Sequence, residues 1–133
     1  MNNPNKIIFH CSDSDLMQHD HIEVIKRWHL IRGFDDVGYH FFIQRDGTVQ
    51  IGRNLKIIGA HCKGQNIDSI GICLHGKNYF DQRQFDTSIA LAESLCISFK
   101  IPLSEIYGHR DFNRHKTCPN FDVNEEIKPY ILL

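Results

Sequence analysis

GYHFFIQRDGTVQIG, residues 38–52, decides the fold. Two runs rich in aromatic and β-branched residues flank Asp46-Gly47, a dipeptide suited to a tight turn, and the stretch therefore predicts a β-hairpin. Around it lie other apolar runs. Lys6–Cys11 (KIIFHC) reads as a buried strand ending in polar SDSD, and Ser69–Leu74 (SIGICL) as a second, with a short strand at Glu105–Gly108. Between them the period changes. His21–Gly33 predicts a helix with Ile22, Ile25, Trp28 and Ile31 on one stripe and Gly33 as its stop. A second helix is expected from a cap at Asp86 or Thr87 to Phe99, with Ile89, Ala92, Cys96 and Phe99 inward and Pro102 beyond its end. A third runs over Asn124–Leu132, made irregular by Pro129. Strands alternating with helices, plus one hairpin, predict an α/β fold: a central mixed β-sheet flanked by helices.

The bulk numbers narrow the function. At 133 residues, with no linker, repeat or low-complexity tract, residues 1–133 are expected to form one domain. The 41% hydrophobic and 23% charged content is that of a soluble globular chain, and the net charge of −1 offers no broad footprint for nucleic acid or anionic membrane. MNNPNKIIFH has too short an apolar run for a signal peptide, and no stretch approaches the roughly 20 apolar residues of a membrane span. Synthesis and folding in the cytoplasm are expected, as a monomer. Five cysteines without a C-x-x-C argue against a disulfide framework, and nine histidines call for an explanation.

The densest chemistry is GHRDFNRHKTCPNF, residues 108–121. Three readings fit it. A zinc site with His10, His109 and Cys118 would draw its ligands from two strand ends and the loop that follows, leaving a fourth position open. A cysteine nucleophile would pair Cys118 with His115 or His109. The third reading is a solvated polar loop, and spacing alone does not choose among them. His109-Arg110-Asp111 also matches the start of a kinase catalytic loop, but Lys116 stands where that motif needs Asn and no glycine-rich phosphate loop exists. Elsewhere the bland reading is preferred. His19, His21 and His29 are expected on the surface or partly packed, and Cys62, Cys73 and Cys96 as small core hydrophobes. Cys11 faces away from His10 by strand alternation, and Tyr39 and His40 point to opposite faces.

Taken in order, IIFHCS, WHLIRGFDDVGYHFFIQRDGTVQIGR, GAHCKGQNIDSIGICLHG and GHRDF…HKTCPNFD resemble the type 2 N-acetylmuramoyl-L-alanine amidases, above all the small bacteriophage amidase lysozymes. The likeness runs from about residue 7 to residue 122, and peptidoglycan recognition proteins share the fold. It implies a zinc-containing groove and hydrolysis of the amide between N-acetylmuramic acid and L-alanine in peptidoglycan. Zinc would be held by His10, His109 and Cys118, one ion per chain, with Tyr39 and Lys116 as active-site residues. A zinc ion brings water toward a pKa near 7, and Lys116 and the Tyr39 hydroxyl are donors suited to the oxyanion that amide hydrolysis creates. His61 and Asn66 are expected to line the groove, bind substrate or support a ligand. The loop from His109 to Cys118 is about a residue longer than in those lysozymes and carries Arg110, Arg114 and His115, which could touch stem-peptide carboxylates.

The leading biological expectation is a phage or prophage endolysin acting on the wall after release, with a membrane-permeabilising partner and no separate wall-binding domain, a form suited to a thin wall. Two alternatives stand beside it. A cytosolic amidase of cell-wall recycling would use Asp where this chain has Cys118. A non-catalytic peptidoglycan-binding module would be expected to lack a ligand. Inhibition of RNA polymerase, known for some phage lysozymes, is not expected, because only about five residues precede the first strand.

Overall fold

The computed structural model describes residues 1–133 and builds one mixed sheet with helices on both faces. In chain order the elements are β1 (Lys6–Cys11), α1 (Ile22–Ile31), β2 (Phe41–Ile43), β3 (Val49–Ile51), β4 (Ser69–Leu74), α2 (Gln82–Phe99), β5 (Ile106–Gly108) and α3 (Val123–Glu126). The sheet order is β3-β2-β4-β1-β5. Strand β1 pairs in parallel with β4 and β5, β2 in parallel with β4, and β2 with β3 antiparallel. The hairpin at 38–52 thus closes one edge and makes the sheet mixed. Gly47, at φ 90°, takes the conformation its turn needs, and Gln44 and Thr48 close it with a 2.9 Å backbone bond.

The central strands β1 and β4 are buried on both faces, as apolar runs between parallel neighbours should be. One face is thickly packed. There Ile7, Phe9, Ile70, Ile72 and Leu74 meet Phe85, Ala92, Leu95 and Cys96 of α2 within a core of 17 buried residues. The opposite face, under α1, holds only five: Ile22, Ile25, Val37, Phe42 and Cys73. Its remaining space is occupied by the buried imidazoles of His10, His29, His40 and His61. Polar chemistry has a place on that face because the apolar core does not fill it.

Each helix differs from the sequence expectation, α1 in its inner face and the other two in a boundary. Helix α1 turns His29 inward, whereas Ile31, assigned to the inner stripe, ends the helix on its outer side and is 82% exposed. Helix α2 begins at Gln82 rather than after Asp86. Asp81 caps it by accepting from the Arg83 N–H, and Gln84 returns a bond to the Asp81 backbone, so the capping box lies one turn upstream. The terminal helix stops after Glu126 and continues only as a 3₁₀ turn, Lys128–Tyr130. Pro129 has no N–H to extend an α-helix and crowds the preceding turn. Strand β5 starts at Ile106, with Glu105 ending a 3₁₀ turn.

Candidate metal centre and groove

Parallel register brings the first two candidate ligands together. Phe9 pairs with Gly108, so the next residue along each chain segment, His10 on β1 and His109 just past β5, emerges at the same sheet end, with ring centroids 4.8 Å apart. The chain then loops out and returns. The Arg110 N–H donates to the Cys118 carbonyl at 2.8 Å, and Pro119 packs onto Gly108, where an added Cβ would fall 2.8 Å from Pro119 Cδ. Phe121 anchors the segment in the core against Phe9, Phe80 and Phe85. Cys118 Sγ is thereby placed 3.8 Å from His10 Nδ1, and the donor atoms of His10, His109 and Cys118 all lie within 4.8 Å of one another.

This donor set fits zinc. A tetrahedral ion with Zn–N of about 2.0–2.1 Å and Zn–S of about 2.3 Å separates a nitrogen and a sulfur ligand by about 3.6 Å, and the His10–Cys118 pair is within a few tenths of that. Metal-binding imidazoles must be neutral, and here they are. Burial pushes the His10 pKa well below its ordinary value, aided by His61, His109 and His29, while burial and the Lys116 charge lower that of His109. Cys118 goes the other way. Its hydrogen bond to the Cys11 thiol and its burial push the thiol up, so without a cation it is no ready thiolate. The Cys11 N–H also donates to Cys118 Sγ at 3.3 Å. Cys11 therefore lies beside the centre, because β1 ends there and alternation no longer carries its thiol away.

A groove of about 850 Å³ opens over these residues, with Tyr39, Lys116, His61 and Asn66 in its lining. The Tyr39 ring packs against that of His10, centroids 5.1 Å apart and planes tilted by 51°. Burial, and the thiols of Cys73, Cys118 and Cys11, hold its hydroxyl pKa well above the ordinary value, so the phenol keeps its proton. Lys116 is exposed on the loop, its backbone N–H held by the Asn113 carbonyl. His115 also lines the groove, whereas Arg110 and Arg114 are exposed outside it. His40 is tied down by the Gly71 N–H on Nδ1 and the Ile57 carbonyl on Nε2.

His61 is buried against His10, its Nδ1 2.8 Å from His10 Nε2, and its Nε2 is 3.0 Å from Ser69 Oγ. Asn66 uses its side-chain oxygen to accept the His61 and Cys62 N–H groups, fixing the loop that carries the imidazole. His29, expected on the surface or partly packed, is buried, and Ser69 is a further residue of the site outside the candidates named from the sequence. For Ser69 the available signal was alternation: with Gly71 and Cys73 it shares the face of His10.

His29 illustrates the cost of an inward imidazole. Its Nδ1 accepts the Gly38 N–H at 2.8 Å, and burial, with Arg32 and Arg53, lowers its pKa to about 4. A protonated ring would have no lone pair for that bond. Above pH 6.5 neither folded nor unfolded His29 is charged; below it the unfolded chain takes up a proton that the fold excludes. Stability is thus lost as pH falls from about 6.5 toward 4, by up to about 1.4 kcal/mol per pH unit from this group. The check is an NMR titration of the His29 ring beside denaturant midpoints. A ring titrating near 6.5 with a flat midpoint would contradict it.

Comparison with known proteins follows the same lines. Residues 1–121 match the family described as N-acetylmuramoyl-L-alanine amidase, Amidase_2. An endolysin of Enterobacteria phage T3 is 40% identical over 124 residues, covering 88% of this chain and 81% of its own length. The solved structure of the N-acetylmuramoyl-L-alanine amidase LysC from Clostridium intestinale is similar with a TM-score of 0.84 and 32% identity, over 93% of this chain and 83% of that one. A Drosophila peptidoglycan recognition protein, PGRP-LB, solved as a mutant in complex with tracheal cytotoxin, has a TM-score of 0.76 and 26% identity, over 98% and 81% of the two chains.

Proposed function

This chain belongs to the N-acetylmuramoyl-L-alanine amidase family, and from that membership we propose that it is a zinc-dependent endolysin of a phage or prophage. The proposed reaction is hydrolysis of the amide between the lactyl group of N-acetylmuramic acid and the L-alanine of the stem peptide. The observation that carries the zinc reading is the convergence of His10, His109 and Cys118, two neutral imidazoles and a thiol, at one end of the sheet. Bound there, zinc would supply Lewis acidity and a water acidified toward neutral pH.

The chain's own residues supply the rest. The groove receives the stem peptide and presents its first amide to the centre. Tyr39, keeping its proton, donates a hydrogen bond where the amide carbonyl gains negative charge. Lys116 brings a positive charge to the same rim, stabilising the oxyanion or supplying a proton to the leaving amine. Similarity to the phage endolysin supports the lytic role over cell-wall recycling, as does cysteine at position 118. The full donor set with Tyr39 and Lys116 supports catalysis over a binding module. An endolysin made in the cytoplasm meets the wall only after the inner membrane is opened, so a membrane-permeabilising partner belongs to this reading.

Purified protein is expected to release peptides with a new N-terminal L-alanine from intact sacculi, leaving glycan strands whole. Chelation should stop the release and added zinc restore it. Cleavage confined to soluble muropeptides would move the role to recycling, and cut glycan strands would exclude the amidase reaction.

A further inference from the structure

Behind His10 runs a line of three polar groups, the Asn66 backbone carbonyl, the Ser69 hydroxyl and the His61 ring, and only one direction of hydrogen bonding satisfies all of them within the protein. The Asn66 carbonyl can only accept, and Ser69 Oγ lies 3.1 Å from it. A hydroxyl has a single proton, so once Ser69 gives it to Asn66, the 3.0 Å contact to His61 Nε2 is made through a lone pair on Ser69. His61 Nε2 must then carry the ring's proton. A neutral imidazole carries one, which leaves His61 Nδ1 bare, and the 2.8 Å contact to His10 Nε2 is filled by the His10 Nε2–H. His10 Nδ1 is then the bare nitrogen, and it is the one that faces Cys118 Sγ.

The reverse direction fails at both ends. If His61 donated from Nδ1, Ser69 would have to donate to Nε2 and abandon the Asn66 carbonyl. His10 would in turn carry its proton on Nδ1, which points into the centre and would block a cation. We infer that Asn66, Ser69 and His61 are positioning residues, a proton-ordered relay that locks His10 as its Nε2–H tautomer and frees Nδ1 for the metal.

The backbone is built around this line. The His61 ring lies on two glycines: a Cβ at Gly71 would fall 2.6 Å from its Cδ2 and Cγ, and one at Gly59 would fall 2.7 Å from Cδ2. Ser69 and Gly71, two apart on β4, share one face of the sheet. One supplies the hydroxyl and the other the room for the ring that reads it. His61 is accordingly assigned to the metal side of the groove, not to substrate recognition, and the side-chain oxygen of Asn66 is already committed to the loop backbone.

The relay rests on His10 being a ligand, yet its direction can be tested without metal. ¹⁵N NMR of the histidine rings in zinc-free wild-type protein is expected to show both His10 and His61 with the proton on Nε2. His61 protonated on Nδ1 would overturn the relay. Ser69→Ala and Gly71→Ala supply the second measurement, read by competition with a chromogenic zinc chelator. Each is expected to weaken zinc binding by about 10–100-fold, the usual effect of losing a group that orients a ligand. Ser69→Ala should also leave the His61 ring a mixture of tautomers. Wild-type affinity with wild-type tautomers in Ser69→Ala would overturn the inference. Wild-type protein that shows both expected tautomers but binds no zinc would sink the zinc reading while supporting the relay.

Discussion

Cys118→Ser protein is expected to fold, to bind zinc more than about 100-fold more weakly than wild type, and to lose wall hydrolysis to the level of chelator-treated enzyme. Removing a group that merely orients a ligand costs about 10–100-fold in affinity, and removing a thiolate ligand exceeds that, because a neutral hydroxyl neither matches the charge nor the softness of sulfur. Folding should survive. The loop is held by the Cys118 backbone carbonyl, which accepts the Arg110 N–H, and by Pro119 and Phe121 beyond it, none of which needs the sulfur. Cys96→Ser is the control. That thiol is buried among α2 core residues on the face of the sheet opposite the groove, so its loss should cost stability and leave zinc untouched. The experiment also separates the rival reading of the loop. A cysteine nucleophile would lose activity with the serine variant while its metal content stayed the same and the wild type ignored chelators. Zinc binding by Cys118→Ser equal to wild type would overturn the assignment of this ligand.

The strands were legible because their apolar runs are long for their type and bounded by polar or turn residues: KIIFHC is β1 to the residue, and SIGICL is β4. Helix ends were less so. The Asp81 cap is a side-chain hydrogen bond that could equally have formed at Asp86 from sequence alone, and only the packing of Gln84 and Phe85 into the core selects the earlier start. In α1, successive steps of three from Ile22 drift round the helix and leave Ile31 on the far side, whereas His29, seven residues on from Ile22 and four from Ile25, keeps the inner face, where the Gly38 N–H partners its Nδ1. Three ligand candidates were visible, two at strand ends and one in the loop that follows. What was invisible is how they are held. The Ser69–His61–His10 line depends on β1 and β4 pairing so that Lys6 meets Ser69 and His10 meets Cys73. A slip by one residue would turn each of those side chains to the other face of the sheet.

Tyr39→Phe and Lys116→Ala are expected to separate catalysis from metal binding. Each should lower kcat by about 10²–10³, the cost of removing one well-aimed donor from a developing oxyanion, equivalent to about 2.7–4 kcal/mol. Zinc affinity should stay near wild type, since neither side chain is among the three donors. Tyr39→Phe is the cleaner variant. The ring that packs 5.1 Å from His10 is kept and only the hydroxyl is lost, so the groove should hold its shape and KM should move little. The neutral phenol also sets the pH behaviour: with its pKa held above the ordinary tyrosine value, its donor role should persist across the neutral range. The double variant apportions the roles. Two donors serving one oxyanion act as a unit, so their combined loss should fall short of the product of the single losses. If Lys116 instead protonates the leaving amine, the effects should multiply, and substrates with a better leaving group should rescue Lys116→Ala but not Tyr39→Phe. A kcat within about threefold of wild type in Tyr39→Phe would remove this tyrosine from the chemistry and leave Lys116 as the only donor at the rim.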